Sequence, residues 1–426
     1  MTNPAPKQSC VAGRRPKVFQ DEPHQDLAVL ETVLNAMLAD PAAFRSGSDI
    51  VSRCGITPLR LNSLFRGYMH TSCARYLAAL RVQKARELLL DCDATDAGSA
   101  VGFTSASRFQ QEFGRHTGMS PAAYRALGSN RCFIMHLPDD FLMKYPRQMF
   151  ARDRDSATER VSGSKLIKAF AVSGQGAYLQ MTARGNRLHC EVHARRRVDP
   201  PLMRAAHEIA AHSIGLGCDP TAFRRHVERR RALAPLIKGR ATLRIPQAAD
   251  PFEGFAWAVI GQQINLRFAY TLRRALIGLC GAPAGADLMA HPSAERVAAL
   301  DYGDLTCRKF SRQKAAYLID GARRIAAGQL DLERLRFLPA VCVENQLREV
   351  RGIGLWSANY LMLRALGFAD CVPVGDTGLT AALMRFFALD HRPSVIDTHA
   401  LMRNFARYRS LATYHLWRSL DDLSRT

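Results

Sequence analysis

The chain has 426 residues, enough for two to four domains at ~100–200 residues each. With 47% hydrophobic and 23% charged residues it falls in the ordinary globular class, which excludes a fibrous or wholly disordered protein. Lys and Arg number 59 against 38 Asp and Glu, a formal charge of +21 that draws the chain to polyanions, nucleic acid or an anionic membrane surface. No apolar run reaches the ~20 residues that span a bilayer, and the basic residues are spread along the whole chain, so nucleic acid is the better partner. The 11 cysteines are scattered without a CxxC pair, which argues against a zinc site or a disulfide scaffold. An odd count without a secretion signal fits a reducing cytoplasm.

Residues 1–24 are polar and read as a loose tail. Residues 25–128 carry helical periodicity throughout, punctuated by Gly55, Gly67, Gly102 and Gly118, and Gly128-Ser129-Asn130 reads as a linker. The texture then changes. Apolar alternation predicts strands at Phe133–Leu137, Leu166–Val172, Ala177–Met181 and Leu188–Val192, a small antiparallel α+β domain over 131–204. From 205 to 426 the pattern is helical again, with breaks at Pro246, Pro251, Gly281–Pro283, Gly352/Gly354 and Pro373.

Within the first helical part, Asp49–Phe65 and Ala97–Phe113 share one design. Each is a short helix, a Gly turn, a Thr or Ser N-cap and a second helix, the grammar of a helix-turn-helix. The two are joined by Tyr76–Leu89 and closed by Gly118-Met119-Ser120-Pro121-Ala122-Ala123-Tyr124-Arg125. With Val101-Gly102-Phe103 this resembles the AraC-type DNA-binding domain over about 100 residues. The resemblance implies that each second helix enters a major groove, presenting Asn62 and Ser63 from the first, and Ser107, Gln110 and Gln111 from the second, to base edges of promoter DNA. Ala94 and Ala97 stand where that family usually has bulky aliphatics, so the second unit is expected to pack less firmly.

The C-terminal part holds the sharpest local feature, Leu347-Arg348-Glu349-Val350-Arg351-Gly352-Ile353-Gly354-Leu355-Trp356-Ser357-Ala358. One helix ends, two glycines let the backbone turn and lie bare, and a second helix starts with its N–H groups unpaired, an arrangement that receives a phosphate without reading sequence. Shortly after comes Asp370-Cys371-Val372-Pro373-Val374-Gly375-Asp376. Asp376 opens a helix whose apolar face is Leu379, Leu383 and Phe386, so by local pattern alone it is equally an N-cap.

Together these segments resemble the helix-hairpin-helix DNA glycosylases of the Gly/Pro–Asp class. Trp356 stands where the lyase members of that class carry a nucleophilic Lys. No cysteine follows Cys371, so the iron–sulfur cluster of the endonuclease-type members is not expected. Asp250-Pro251-Phe252-Glu253 and Val259-Ile260-Gly261-Gln262-Gln263-Ile264 match the AlkA type, the 3-methyladenine DNA glycosylases II, over roughly 131–426. The implied fold class is multidomain and mainly α: a double helix-turn-helix, a small antiparallel α+β domain, and an all-α helix-hairpin-helix glycosylase fold. Such fusions often begin with a methyl-acceptor domain of the Ada type; Cys10, alone in its tail, does not supply one.

The resemblance also implies roles. Asp376 stabilises the sugar cation and orients water. Trp356, Tyr360 and Trp417, with Met149 where the family often has an aromatic lid, hold the flipped base. Gln263 fills the gap in the duplex. Arg351, Gly352, Gly354, Leu355 and Ser357 meet the DNA backbone. The carbonyls of Arg348, Val350 and Ile353 hold a monovalent cation, Na+ or K+, bridging to a phosphate, and no cofactor or metal enters the chemistry. The expected activity is removal of 3-methyl and 7-methyl purines from duplex DNA without a lyase step, in a bacterial cytoplasm at the nucleoid. The alternative is a transcriptional regulator whose glycosylase half only recognises damage.

Two motifs point elsewhere. His207-Glu208-Ile209-Ala210-Ala211-His212 places its histidines five apart, about 140° around a helix, so they cannot share a metal. Arg224, Arg225, Arg229, Arg230 and Arg231 form a basic run, read as a solvated helix face or a phosphate contact.

Overall fold

The computed structural model describes residues 23–421 other than Arg196. The tail expected over 1–24, with Cys10, therefore lies outside the described residues except for its last two, which open α1 (Pro23–Ala39). Hydroxyl and carboxylate caps set the starts that follow. Ser46 and Asp49 form a capping box on α2 (Gly47–Cys54), and Thr57 caps α3 (Pro58–Tyr68), where Pro58 occupies the first turn without wasting an N–H. Ser72, Asp93, Ser105 and Ser120 cap α4 (Cys73–Leu88), α5 (Ala94–Ala100), α6 (Ala106–Thr117) and α7 (Pro121–Arg125).

The two helix-turn-helix units do not share one core. Leu30, Leu34, Ile50, Leu61, Leu64, Phe65 and Leu77 enclose the first. The far half of α4, with Val82, Ala85 and the C-cap Leu89, turns to a second core that runs through Phe109, Phe113 and Tyr124 into the sheet at Phe133 and Met135. This corrects the expectation of loose packing in the second unit. Small residues on α5 admit the ring of Phe109 against Gly98, and Phe103, Phe109, Phe113 and Tyr124 then follow one another at centroid spacings of 5.2, 5.5 and 5.3 Å.

The sheet has the order β1 (Cys132–His136), β5 (Arg187–Ala194), β4 (Gln175–Arg184), β3 (Lys165–Val172), β2 (Glu159–Ser162), antiparallel at each pairing. Its buried face carries Leu179, Met181, Leu188, Cys190 and Val192, the alternation visible in the sequence. The edge strand β2 and the helix α8 (Lys144–Phe150) were not legible, being short and without clean periodicity. After α9 (Pro200–Ile214), α10 (Thr221–Glu228), α11 (Pro251–Ile260) and α12 (Leu266–Cys280), the break at 281–283 is a hairpin, β6 (Ala282–Gly285) with β7 (Leu288–Ala290). The expectation of helices alone over 205–426 is corrected there. The hairpin lays Ala284 and Leu288 on Ala169 of the sheet, and strands of three and four residues are too short to show a period.

The remaining helices are α13 (Ala294–Ala298), α14 (Tyr302–Thr306), α15 (Arg312–Ala326), α16 (Leu332–Leu335), α17 (Ala340–Arg348), α18 (Leu355–Leu361), α19 (Thr377–Phe386), α20 (Val395–Met402) and α21 (Arg409–Asp421). They close a third core around Phe255, Leu318, Leu347, Leu361 and Leu383. A buried charge network ties this core to the sheet. Lys168 of β3 donates to Glu159 at 2.6 Å and to Glu253 of α11 at 2.7 Å, and Arg273 of α12 reaches the same two carboxylates at 3.1 and 2.6 Å. The first helix-turn-helix unit also docks on the helical part. The Tyr76 hydroxyl donates to the Phe337 carbonyl at 2.7 Å, and His70 lies 3.4 Å from Asp370. No helix among the described residues is long and apolar enough to cross a membrane.

Candidate DNA-lesion site

The hairpin between α17 and α18 is shaped by Gly352. Its φ of +88° is left-handed, and a Cβ there would overlap the ring of Tyr317 on α15. Gln262, just after α11, then clamps the turn by donating to the Gly352 carbonyl at 2.8 Å and to the Ser357 hydroxyl at 3.0 Å. Gly354 precedes α18 with no side-chain cap, so the first N–H groups of that helix are left open. Arg351 is exposed, its guanidinium 6.0 Å from the Tyr317 ring centroid.

Beside the hairpin lies a cleft of about 1250 Å³. Trp356, Tyr360, Asp376 and Trp417 all reach it, from two helices and one helix cap. Trp356 and Tyr360, four residues apart on α18, stack at 5.2 Å, and Trp417 lies 6.0 Å from Tyr360. Asp376 is half-buried at the head of α19. Its Oδ1 accepts from the Leu379 amide at 2.7 Å and from Trp417 Nε1 at 2.9 Å, while its Oδ2 accepts from Trp356 Nε1 at 3.2 Å. The residue is thus an N-cap and the focus of two indole N–H donors at once. Gly378 makes the approach of Trp417 possible, since a Cβ there would sit 3.2 Å from Asp376 Oδ1 and 3.4 Å from the Trp417 ring.

The other expected residues are placed unequally. Gln263 is exposed at the cleft rim in a left-handed conformation, φ +53°. Arg348, Val350 and Ile353 line the cleft, and the Val350 carbonyl already accepts the Ile353 amide at 3.0 Å. The Ser357 side chain is buried at the cleft wall, its hydroxyl oxygen accepting from Gln262. Leu355 faces the opposite way, into a hollow shared with Tyr68 and His70 of the first helix-turn-helix unit. Met149 does not join the aromatic cleft. It lines an adjoining cavity of about 110 Å³, which shares Trp257, Tyr360 and Arg364 with the cleft, and meets Arg364 at 3.5 Å. On the helix-turn-helix units, Asn62, Ser63, Ser107, Gln110 and Gln111 are all exposed, on faces opposite Leu61, Leu64, Phe109 and Phe113. His207 and His212 are spent on backbone carbonyls, of Thr117 at 2.7 Å and of Ala249 at 3.3 Å.

Four cleft residues went unread. Trp257 donates Nε1 to the Tyr360 hydroxyl at 3.0 Å, and it hides in the apolar run of α11 as apparent core. Tyr317 acts on the hairpin from a segment without a motif of its own, and Gln262 sits inside the Val259–Ile264 motif, where only its neighbour Gln263 was given a role. Lys314 donates to the Ile260 carbonyl at 2.6 Å, and burial pushes its amine down to about 8. A lysine in an otherwise amphipathic helix carries no signal in one sequence.

Residues 256–407 match the model of the HhH-GPD superfamily of base excision DNA repair proteins, and residues 50–127 match that of a helix-turn-helix domain. The chain is 34% identical over 193 residues to a DNA-3-methyladenine glycosylase of Bacillus subtilis, a match that takes in 44% of this chain and 64% of that protein, so less than two thirds of the relative's length is spanned. It is 25% identical over 408 residues to the Mycobacterium tuberculosis protein named "Probable bifunctional transcriptional activator/DNA repair enzyme AlkA", covering 90% of this chain and 79% of that one. Among solved structures, a 3-methyladenine DNA-glycosylase from Archaeoglobus fulgidus superposes with a TM-score of 0.59 at 19% identity, over 67% of this chain and 97% of that one, a likeness of fold. The chain therefore joins an N-terminal helix-turn-helix domain to a domain of the HhH-GPD superfamily.

Proposed function

We propose that the protein is a DNA glycosylase that removes alkylated bases, 3-methyl and 7-methyl purines, from duplex DNA by hydrolysis, with an N-terminal module that binds promoter DNA. The observation that carries this reading is the Asp376 carboxylate, fixed by the Trp356 and Trp417 indoles at the wall of an aromatic cleft beside an open helix N-terminus. The names of the relatives from Bacillus subtilis and Mycobacterium tuberculosis support it.

Each part has a task. The uncapped start of α18, with Gly352, Gly354 and Arg351, receives a backbone phosphate. Arg348, Val350 and Ile353 line the same cleft, and their carbonyls would hold a monovalent cation that supplies positive charge for that phosphate. Gln263 fills the place of the extruded nucleotide. An alkylated purine carries positive charge, and the faces of Trp356, Tyr360 and Trp417 attract it by ~0.5–2 kcal/mol per contact. Such a base leaves without being protonated, so the remaining task is to stabilise the cation that develops on the sugar. Asp376 does this through its charge and orients the attacking water. Trp356 fills the place of a lysine nucleophile, so no imine forms there and the abasic strand is left intact.

Release of free base from methylated duplex DNA tests this, with wild type beside Asp376→Asn. Asn retains the shape and the helix cap and removes the charge. Methylpurine release by wild type alone supports the enzyme. A folded, DNA-binding wild type that releases nothing from several lesions returns the alternative, a regulator whose glycosylase half only recognises damage.

A further inference from the structure

The arginine run of α10 is not absorbed by the lesion site. Arg225, Arg229 and Arg230, with His226, Ala222 and Tyr408, line an open basin of about 650 Å³. Phe223 anchors α10 on α21, 5.1 Å from the His415 ring. His415 and Trp417 are two residues apart, about 200° around a helix, so the basin lies across α21 from Asp376. It shares no lining residue with the cleft.

Its charge is unbalanced. Among the described residues none of the three basin arginines comes within 4 Å of a carboxylate, whereas neighbouring Arg224 pairs with Glu228 at 3.8 Å. A helix C-terminus favours a cation or two. Five arginines between 224 and 231, all but Arg224 exposed, exceed that need and repel one another unless an anion sits among them. Arg225 and Arg229 stand on one helix face, about 6 Å apart along the axis. Their planar forks suit phosphate oxygens. The wall is held in shape. His226 bonds the Asn404 carbonyl at 2.8 Å and packs edge-on to Tyr408 at 5.3 Å. Beyond Tyr408, Arg409 pairs with Asp370, the residue that also faces His70 of the first helix-turn-helix unit.

We propose that this basin is a second binding site for the duplex DNA backbone, separate from the lesion cleft, in which Arg225, Arg229 and Arg230 each neutralise one phosphate. It rests on DNA being the partner but not on the chemistry at Asp376. Because the contacts are to phosphates, the site holds undamaged DNA of any sequence, beside the seam between the two halves of the chain.

The test is the salt dependence of binding of the full chain to a lesion-free duplex of 30 base pairs, followed by fluorescence anisotropy. Each neutralised phosphate contributes about 0.9 to the slope of log K against log salt. Arg225→Gln, Arg229→Gln and Arg230→Gln are each expected to lower the slope by about 0.9, and the triple variant by about 2.7. Between 50 and 200 mM salt the wild type then loses about 40-fold more affinity than the triple variant. Base release under saturating single-turnover conditions stays unchanged, and melting curves check the fold. An unchanged slope in a folded triple variant overturns the site while leaving the glycosylase reading intact. Wild type that binds no duplex overturns both. Anionic vesicles of phosphatidylglycerol that bind wild type and not the triple variant, with the DNA slope unmoved, assign the basin to a membrane and overturn the proposal.

Discussion

Trp417 Nε1 donates to Asp376 Oδ1 at 2.9 Å, the same oxygen that caps Leu379 at the head of α19. The C-terminal helix therefore fixes the rotamer of the proposed catalytic carboxylate. Trp417→Phe keeps an aromatic ring and deletes the donor. A hydrogen bond to a charged group is worth about 1.5–3 kcal/mol, so base release is expected to slow by about 10- to 100-fold with the melting temperature little changed. Single-turnover kinetics decide it, and an unaltered rate would remove Trp417 from the positioning role.

Gly352→Ala forces a left-handed φ on a residue with a Cβ and drives that Cβ into Tyr317. The left-handed conformation alone costs about 1–2 kcal/mol. The variant is expected to lose non-specific duplex affinity at least tenfold, measured by anisotropy. The double variant Gly352→Ala/Tyr317→Ala regains part of the packing and less of the turn.

Glu253 is 6% exposed and lies between Lys168 and Arg273. Burial alone would raise its pKa, but those two cations bring it below the ordinary carboxylate value. Glu253→Gln leaves an uncompensated buried charge, a loss of about 3–5 kcal/mol. Chemical denaturation is the measurement. A change under 1 kcal/mol would mean the network is not what binds the sheet to the helical core.

Lys314 lines the cleft and, with burial pushing it down to about 8, is charged below that pH and neutral above it. Its attraction for phosphate is present at pH 7 and fades as pH rises through 8. Duplex affinity is expected to drop several-fold more between pH 7 and 9 in wild type than in Lys314→Arg, whose charge persists. Parallel curves for the two proteins would place Lys314 outside the DNA path.

His207 and His415 are 1% and 0% exposed, and burial pushes each to about 3. Unfolded, each binds a proton near the ordinary 6.5. Between those values the unfolded chain holds more protons than the native one, so stability is full above 6.5 and falls as pH falls. Each histidine costs about 1.4 kcal/mol per pH unit over that range. His207→Gln is expected to shrink the loss of melting temperature between pH 6.5 and 5. An identical acid profile in the variant would show that other groups carry it.

The sequence by itself determined the order of parts and the local grammar. Caps at Ser46, Thr57, Ser105 and Asp376, the alternation in β3–β5 and the glycines of the hairpin each act within a few residues, and such short-range signals survive in one chain. The resemblance to the helix-hairpin-helix glycosylases also named Trp356, Tyr360, Trp417 and Asp376 before any geometry, where local pattern alone left Asp376 equally an N-cap. Only the tertiary structure decided that one carboxylate receives both indoles, that Gln262 and not its neighbour clamps the hairpin, and that Met149 lines the cavity adjoining the cleft. Trp257, Tyr317 and Lys314 belong to that second kind, since each acts from an ordinary helix across tens of residues. The division of the helix-turn-helix cores was settled there too. The second unit joins the sheet because the aromatic faces of α6 and α7 meet Phe133 and Met135, and burying that continuous apolar surface outweighs the linker that Gly128 suggests.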